Sequence, residues 1–224
     1  MGEAVVTSAV EDYLKTIYGL GTRGEPTTTS VIAQRMGVSP PSVSAMVKRL
    51  AARDLVERDP AGRVVLTEHG QAHALRVVRR HRLLETFLAQ VLDVPWDEVH
   101  VEAERLEHAL SERLEERIDT ALGHPTHDPH GDPIPPRDGE HHEHWGEPLA
   151  MAEPGTRFRV ERVSSRDSAA LRYLEELGIV PSAVLVVEER APFGGPLWVS
   201  IGPQRRAVGL ELAHLVYGAA DGQR

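Results

Sequence analysis

The chain has 224 residues, 41% of them apolar and 26% charged, with 25 basic and 34 acidic side chains, a formal charge of −9 and no cysteine. That balance describes an ordinary globular chain with room for two or three modules, and it excludes disulfides, thiolate metal sites and thiol catalysis. No apolar run reaches the roughly 18 residues a membrane span needs and no signal peptide opens the chain, so a cytoplasmic protein without a membrane partner is expected, and its acidity confines nucleic-acid contact to a local basic patch.

Residues 4–20 carry Val10, Tyr13, Leu14, Ile17 and Tyr18 at helical spacing, with Thr7 or Ser8 as N-cap. Asp12 lies off that stripe and, taken alone, reads as a solvated carboxylate. After a breaker at 21–26, TSVIAQRM at 29–36 predicts a short helix ended by Gly37. A second helix at 41–50 starts on Pro41, where a missing N–H is harmless. Val43, Met46, Val47 and Leu50 face inward, leaving Ser39, Ser42, Ser44, Lys48 and Arg49 outside. Between Val31 and Arg53 the basic residues are Arg35, Lys48, Arg49 and Arg53, with no acid. This is the pattern of a helix-turn-helix whose second helix enters the major groove. Strands at 55–58 and 63–66 around Asp59-Pro60-Ala61-Gly62 would form a wing, with Arg58 and Arg63 directed at phosphate or minor groove. The alternative is a small helical and β-hairpin core with no ligand.

A long helix follows at 71–92, opened by Thr67 to Gly70, with Leu75, Val78, Leu83, Leu84, Phe87, Leu88 and Val91 on a broad apolar face. His81 and Glu85 stand one turn apart on it, able to clamp one ion or to share a surface hydrogen bond. The run VEAERLEHALSERLEER at 101–117 is expected as one helix, with Glu104, Glu107 and His108 on a common face. Carboxylates and imidazole are the ligands a divalent first-row metal takes. The alternative is a solvated face in which Arg105, Arg113 and Arg117 pair with the glutamates. Two amphipathic helices joined by a short loop leave apolar faces uncovered, which predicts a dimerisation unit.

Residues 122–148 are rich in proline and histidine and read as a boundary. His124, His127 and His130, with His141, His142 and His144, form either a loose metal cluster or part of a flexible linker. The segment at 133–135 is expected to pack back on the helices. Beyond it, strands at 156–163, 183–189, 197–201 and 206–210, a helix at 168–177 and a closing helical turn at 211–216 suggest an SH3-like barrel.

The runs EDYLKTIYGL, VSPPSVSAMVKRLAARDLVE, LTEHGQAHALRVVRRHRLLETFL and VHVEAERLEHALSERLEERI, followed by GDPIP, occur in this order along the chain. Together they resemble the diphtheria-toxin-repressor family of metal-dependent transcriptional regulators over essentially the whole length, the barrel mostly by position. The resemblance implies a mainly α fold with small β elements: a winged helix-turn-helix DNA-binding domain at 1–73, a helical metal-binding and dimerisation domain with the His/Pro-rich linker at 74–147, and an SH3-like, FeoA-like domain at 148–224. It implies one metal site at Asp12, Glu104, Glu107 and His108, and a second at His81, Glu85 and His100 with Asp167. Where the iron-responsive branch has methionine and cysteine, this chain has Asp12 and Glu104, as the manganese-responsive branch does. Hard oxygen donors suit Mn2+, with Fe2+ or another divalent ion as the alternative cofactor. Lys15 departs from the small manganese sensors, which have a carboxylate there, and this argues against a closely spaced metal pair. The expected partner is double-stranded operator DNA, read by a homodimer through Ser39, Pro41, Ser42, Ser44, Lys48, Arg49 and Arg63. The expected function is a Mn2+-responsive repressor of metal homeostasis and not an enzyme. The rivals are an iron-responsive repressor, a metal-dependent hydrolase, which lacks a spare general base here, and a metal buffer built on the histidine-rich linker.

Overall fold

The computed structural model describes residues 7–138, 141, 143–165 and 167–222. Ala4 to Val6 of the first expected helix and His142 of the histidine-rich run lie outside the described residues. The chain divides into two compact units, Met1–His81 with Leu106–Ser111 and Pro135–Glu143, and Arg82–Arg105 with Glu112–Ile134 and His144–Arg224.

The first unit begins with α1 (Ser8–Thr22), α2 (Thr29–Met36) and α3 (Pro40–Ala51). Thr28 caps α2 by accepting from Val31 N at 3.3 Å, and Gly37 ends it in the left-handed region at φ 66°. Ser39 caps α3 by accepting from Ser42 N at 3.3 Å, with two prolines following where no N–H is needed. The wing is β1 (Val56–Arg58) antiparallel to β2 (Val64–Leu66). Leu14, Leu20, Ile32, Val43, Leu50 and Val64 are fully buried in one core, each contributing about 1.5–3 kcal/mol by leaving water. The long helix α4 (Glu68–Leu92) starts three residues before the expected position, because Thr67 Oγ1 accepts from Gly70 N at 3.0 Å and donates to Asp54 O at 2.6 Å. Gly70 packs against the Leu55 carbonyl so closely that a Cβ there would sit 1.8 Å from the oxygen.

The expected single helix at 101–117 is two helices, α5 (Val99–Leu106) and α6 (Glu112–Ala121). The break follows from Ser111, a residue type favoured before a first helical turn, with Glu112 and Glu115 against the positive end of α6. Leu110 is buried in the intervening turn. Glu107 and His108 therefore sit in that turn rather than on a helix face.

In the second unit the segment expected as a boundary is folded back. Ile134 is buried and its N–H donates to Thr126 O at 2.8 Å, while Arg82, on α4, donates to Pro133 O. Gly131, at φ 85°, lies so near the Glu161 carbonyl that a Cβ would be 2.0 Å away. The C-terminal sheet contains β3 (Glu147–Pro148), β4 (Arg157–Val163), β5 (Val184–Arg190), β6 (Leu197–Ile201), β7 (Gln204–Val208) and β8 (Val216–Ala220), with α7 (Ser168–Leu177) and α8 (Leu210–Ala213) between them. Strand order is β3-β8-β4-β5-β6-β7, all neighbours antiparallel. Two corrections apply. β7 begins at Gln204 rather than 206, and the helical turn expected to reach Val216 stops at Ala213, where β8 takes over. β8 lies between β3 and β4 because Gly218 lets the Arg159 carbonyl approach; a Cβ would meet it at 1.9 Å. Among the described residues no helix is long and apolar enough to cross a membrane.

Candidate metal centre

Within the first unit, three ligand types converge on the turn after α5. His108 Nδ1 lies 2.5 Å from Glu11 Oε2, and its Nε2 lies 2.8 Å from Asp12 Oδ1 and 3.5 Å from Glu107 Oε1. Glu107 is 1% exposed; its Oε2 meets His81 Nδ1 at 2.5 Å and its Oε1 accepts from Lys15 Nζ at 2.5 Å. Asp12, Glu107 and His108 each offer one ligand atom, all within 4.8 Å of one another. Burial raises the cost of charge on Glu107, but the His81 hydrogen bond and the charges of His81 and Lys15 outweigh it and hold the carboxyl below its usual range. Burial likewise opposes charge on His108, and Glu11, Glu107 and Asp12 more than offset it, so the ring holds its proton to higher pH than usual. A metal ion must displace that proton and compete with Lys15 for Glu107.

Glu11 was not among the residues expected to act here, and Lys15 was expected only as a departure from a carboxylate position; α1 periodicity alone gives no reason to single out Glu11. Their role yields a direct prediction. Lys15→Gln removes the ammonium that occupies Glu107, so Mn2+ binding should tighten by about tenfold, roughly 1.4 kcal/mol. Titration calorimetry checks it, and equal or weaker affinity in the variant would contradict the competition.

The remaining expected ligands are placed as follows. Glu104 belongs to the second unit, is half exposed, and faces His100 Nε2 at 3.6 Å. His100 Nδ1 lies 3.0 Å from Glu85 Oε1. His81 precedes Glu85 by one turn on α4 and is engaged by Glu107. Asp167 caps α7, accepting from Ala169 N at 2.9 Å and Ala170 N at 3.1 Å.

The second unit holds a buried cluster of its own, Glu85, Asp128 and His130, again with ligand atoms within 4.8 Å. His130 Nε2 lies 2.7 Å from the Trp96 carbonyl, which can only accept, so Nε2 carries the proton and Nδ1 is turned toward the carboxylates. Glu85 Oε2 stands 3.8 Å from Nδ1. Asp128 Oδ1 accepts from His130 N and Asp132 N, both at 2.9 Å. Asp128 Oδ2 and His130 Nδ1 are buried with no hydrogen-bond partner among the described residues, and an ion binding here must displace the proton that Nδ1 carries in the metal-free chain. Burial, then the charges of Asp132 and Glu85, push Asp128 well above the usual carboxylate range. Burial opposes charge on His130, yet Glu85 and Asp128 lift its pKa to about 9. Asp128 was not foreseen, and His130 only as one of many histidines. The available signal was Asp128-Pro129-His130-Gly131, turn chemistry that sets an aspartate and a histidine at a fixed offset. His124 pairs with Asp119 at 3.0 Å and His127 with Thr126 at 2.9 Å.

Of the residues expected to meet DNA, Ser39, Pro41, Ser42, Lys48 and Arg49 are exposed and Ser44 is half-buried. The wing arginines hold their own turn: Arg63 pairs with Asp59 at 2.6 Å and Arg58 donates to Gly62 O at 2.7 Å.

Comparison with known proteins matches these parts in order. Residues 6–64 match the model of the iron dependent repressor N-terminal DNA binding domain. Residues 67–136 match that of the iron dependent repressor metal binding and dimerisation domain, and 147–219 a FeoA domain. The iron-dependent repressor IdeR of Mycobacterium tuberculosis is 36% identical over 232 residues, spanning 96% of this chain and 98% of the relative. The chain belongs to the iron-dependent repressor family. This repressor is a metal-dependent, DNA-binding transcriptional regulator and not an enzyme. The diphtheria toxin repressor of Corynebacterium diphtheriae is 35% identical over 130 residues, 58% of each chain. Among solved structures, a manganese-dependent transcriptional repressor in complex with manganese aligns at a TM-score of 0.86 and 39% identity, covering 94% of this chain and 99% of that one. The manganese regulator SloR aligns at 0.79 and 34%, covering 95% and 98%.

Proposed function

We propose that this repressor responds to Mn2+ and, loaded, binds double-stranded operator DNA as a homodimer in the cytoplasm to control metal homeostasis. The observation that carries the reading is the donor set at Asp12, Glu107 and His108: two carboxylates and one imidazole, with no sulfur. Hard donors of this kind favour Mn2+ over softer ions. Fe2+ is the second reading, favoured by the iron-dependent relative; with relatives named for iron and for manganese between 34% and 39% identical, overall identity does not separate the two metals.

Asp12 belongs to α1, and Glu107 and His108 to the turn after α5, so an ion held by all three ties the first of the DNA-binding helices to that turn. The metal supplies positive charge that offsets the repulsion among Glu11, Asp12 and Glu107; it acts by binding one arrangement better than another. The family resemblance implies Glu104 as a further ligand of this ion, and His81, Glu85 and His100 with Asp167 as the holders of a second, which Asp167 would join only by leaving its cap. Glu85, Asp128 and His130 of the second unit are proposed as a further cluster able to hold an ion. Ser39, Pro41, Ser42 and Ser44 approach the groove while Lys48, Arg49 and Arg63 meet phosphate. Exposed Val91, Leu92, Val101 and Leu114 give the second unit an apolar surface for the partner copy. The working modules are 1–73, 74–147 and 148–224.

The test is fluorescence anisotropy on DNA selected from a random library in the presence of Mn2+. Chelated protein should bind it at least tenfold more weakly, and Mn2+ should restore binding at lower free concentration than anaerobic Fe2+ or Zn2+. Equal affinity after chelation overturns the metal switch; preferential restoration by Fe2+ overturns the manganese assignment alone.

A further inference from the structure

At the start of α4, away from both acidic centres, two histidines face each other with no part in the reading above. His69 Nε2 and His73 Nε2 are 3.1 Å apart, with ring centroids at 4.8 Å and planes inclined by 58°. They stand one helical turn apart on one face. His69 is exposed, whereas His73 is buried at 9% exposure, so one ring is held by packing and the other is reachable from solvent.

We propose that His69 and His73 form a further metal site, selective for an imidazole-seeking ion such as Zn2+. Two imidazole nitrogens each about 2.0–2.1 Å from one tetrahedral Zn2+ lie about 3.3 Å apart, close to the observed separation. In the metal-free chain one Nε2 donates its hydrogen to the other. On binding, the donating ring shifts to the Nδ1–H tautomer and both lone pairs face the ion, with no net loss of a proton. His69 lines a surface pocket with Asp54, Glu57 and Glu68, three carboxylates from which a third ligand can come, with water as the fourth.

The surroundings are rigid. Thr67 Oγ1 donates to Asp54 O at 2.6 Å, Thr67 N donates to Leu55 O at 3.2 Å, and Gly70 packs flush on the Leu55 carbonyl. Asp54 itself is held at φ 56°. The helix turn bearing His69 is thus bolted to the segment that carries Asp54 and leads into β1, which lowers the ordering cost of bringing nitrogen and oxygen donors to one ion. An ion here would staple the wing's root to α4, independently of the Mn2+ response.

Equilibrium dialysis of the full chain against Zn2+, after chelation, tests this, with ring-nitrogen NMR of the histidines. The parent should bind one more Zn2+ equivalent than His69→Gln, a substitution at an exposed position that leaves the core intact. Saturation should also convert both His69 and His73 to Nε2-bound, Nδ1-protonated signals in the parent. A variant that binds as many equivalents as the parent at the same affinities, or rings whose signals do not move at saturation, overturns the proposal and leaves a plain histidine–histidine hydrogen bond.

Discussion

Replacing His108 with alanine should cost at least about 100-fold in the Mn2+ concentration needed for half-maximal operator binding, with the chelated background unchanged. The reason is positional. Its ring reaches Glu11 through one nitrogen and Asp12 through the other, so one side chain engages two carboxylates of α1. Loss of even an outer-shell partner of a ligand costs about 10–100-fold in metal affinity, and loss of a ligand costs more. The ring lies outside the apolar core of its unit, so the chelated variant should stay folded, with a melting temperature within about 2–4 °C of the parent. Glu11→Gln is the graded companion. It keeps the imidazole as ligand and removes the carboxylate that orients Nδ1, so an intermediate loss of about tenfold is expected. Anisotropy across a Mn2+ titration reads both, and an unshifted midpoint in His108→Ala removes this site from the switch.

Chelated protein should lose stability as pH rises from neutral to about 10, and His130→Gln should lose most of that dependence. His130 has a folded pKa of about 9 against an ordinary 6.5, so its charged form is favoured by folding. The contribution is fully present below 6.5 and disappears as pH climbs through about 9. The gap corresponds to about 3 kcal/mol at most. Glutamine can still donate to the Trp96 carbonyl, which keeps the turn in place while removing the titration. Thermal melts in chelator at pH 6.5, 8 and 9.5 decide it; parallel curves for parent and variant would show that the buried charge on His130 has no part in stability.

Some elements were written locally and came out residue for residue. The helix at Thr29–Met36 is bounded by Thr28 and Gly37, and that at Ser168–Leu177 by Asp167 and Gly178; in each, a side-chain acceptor and a left-handed glycine terminate the same apolar period. Where such signals were missing, the reading ran on. The pattern at 101–117 keeps its helical period across the break, so periodicity could not locate the turn that carries Glu107 and His108. β8 follows Val216 and Tyr217 with three small residues of little strand propensity, Gly218, Ala219 and Ala220, and Gly218 lets the Arg159 carbonyl approach closely. The proposed DNA-facing residues were legible because exposure on α3 follows from its apolar stripe.

By itself, then, the order of residues determined most of the run of helices and strands and the outward face of α3, since each depends on spacing along a single element, while Asp12 was marked for the metal centre by the family resemblance alone. Only tertiary structure decided that Glu11 enters that centre and that Lys15 holds Glu107 there, that Asp128 and His130 join Glu85 from a segment expected as linker, and that the His69–His73 pair lies beside Asp54 and Glu57. Those meetings are made by chain closure between elements far apart in sequence, and a ligand atom's field, burial and partners exist only after the closure has occurred.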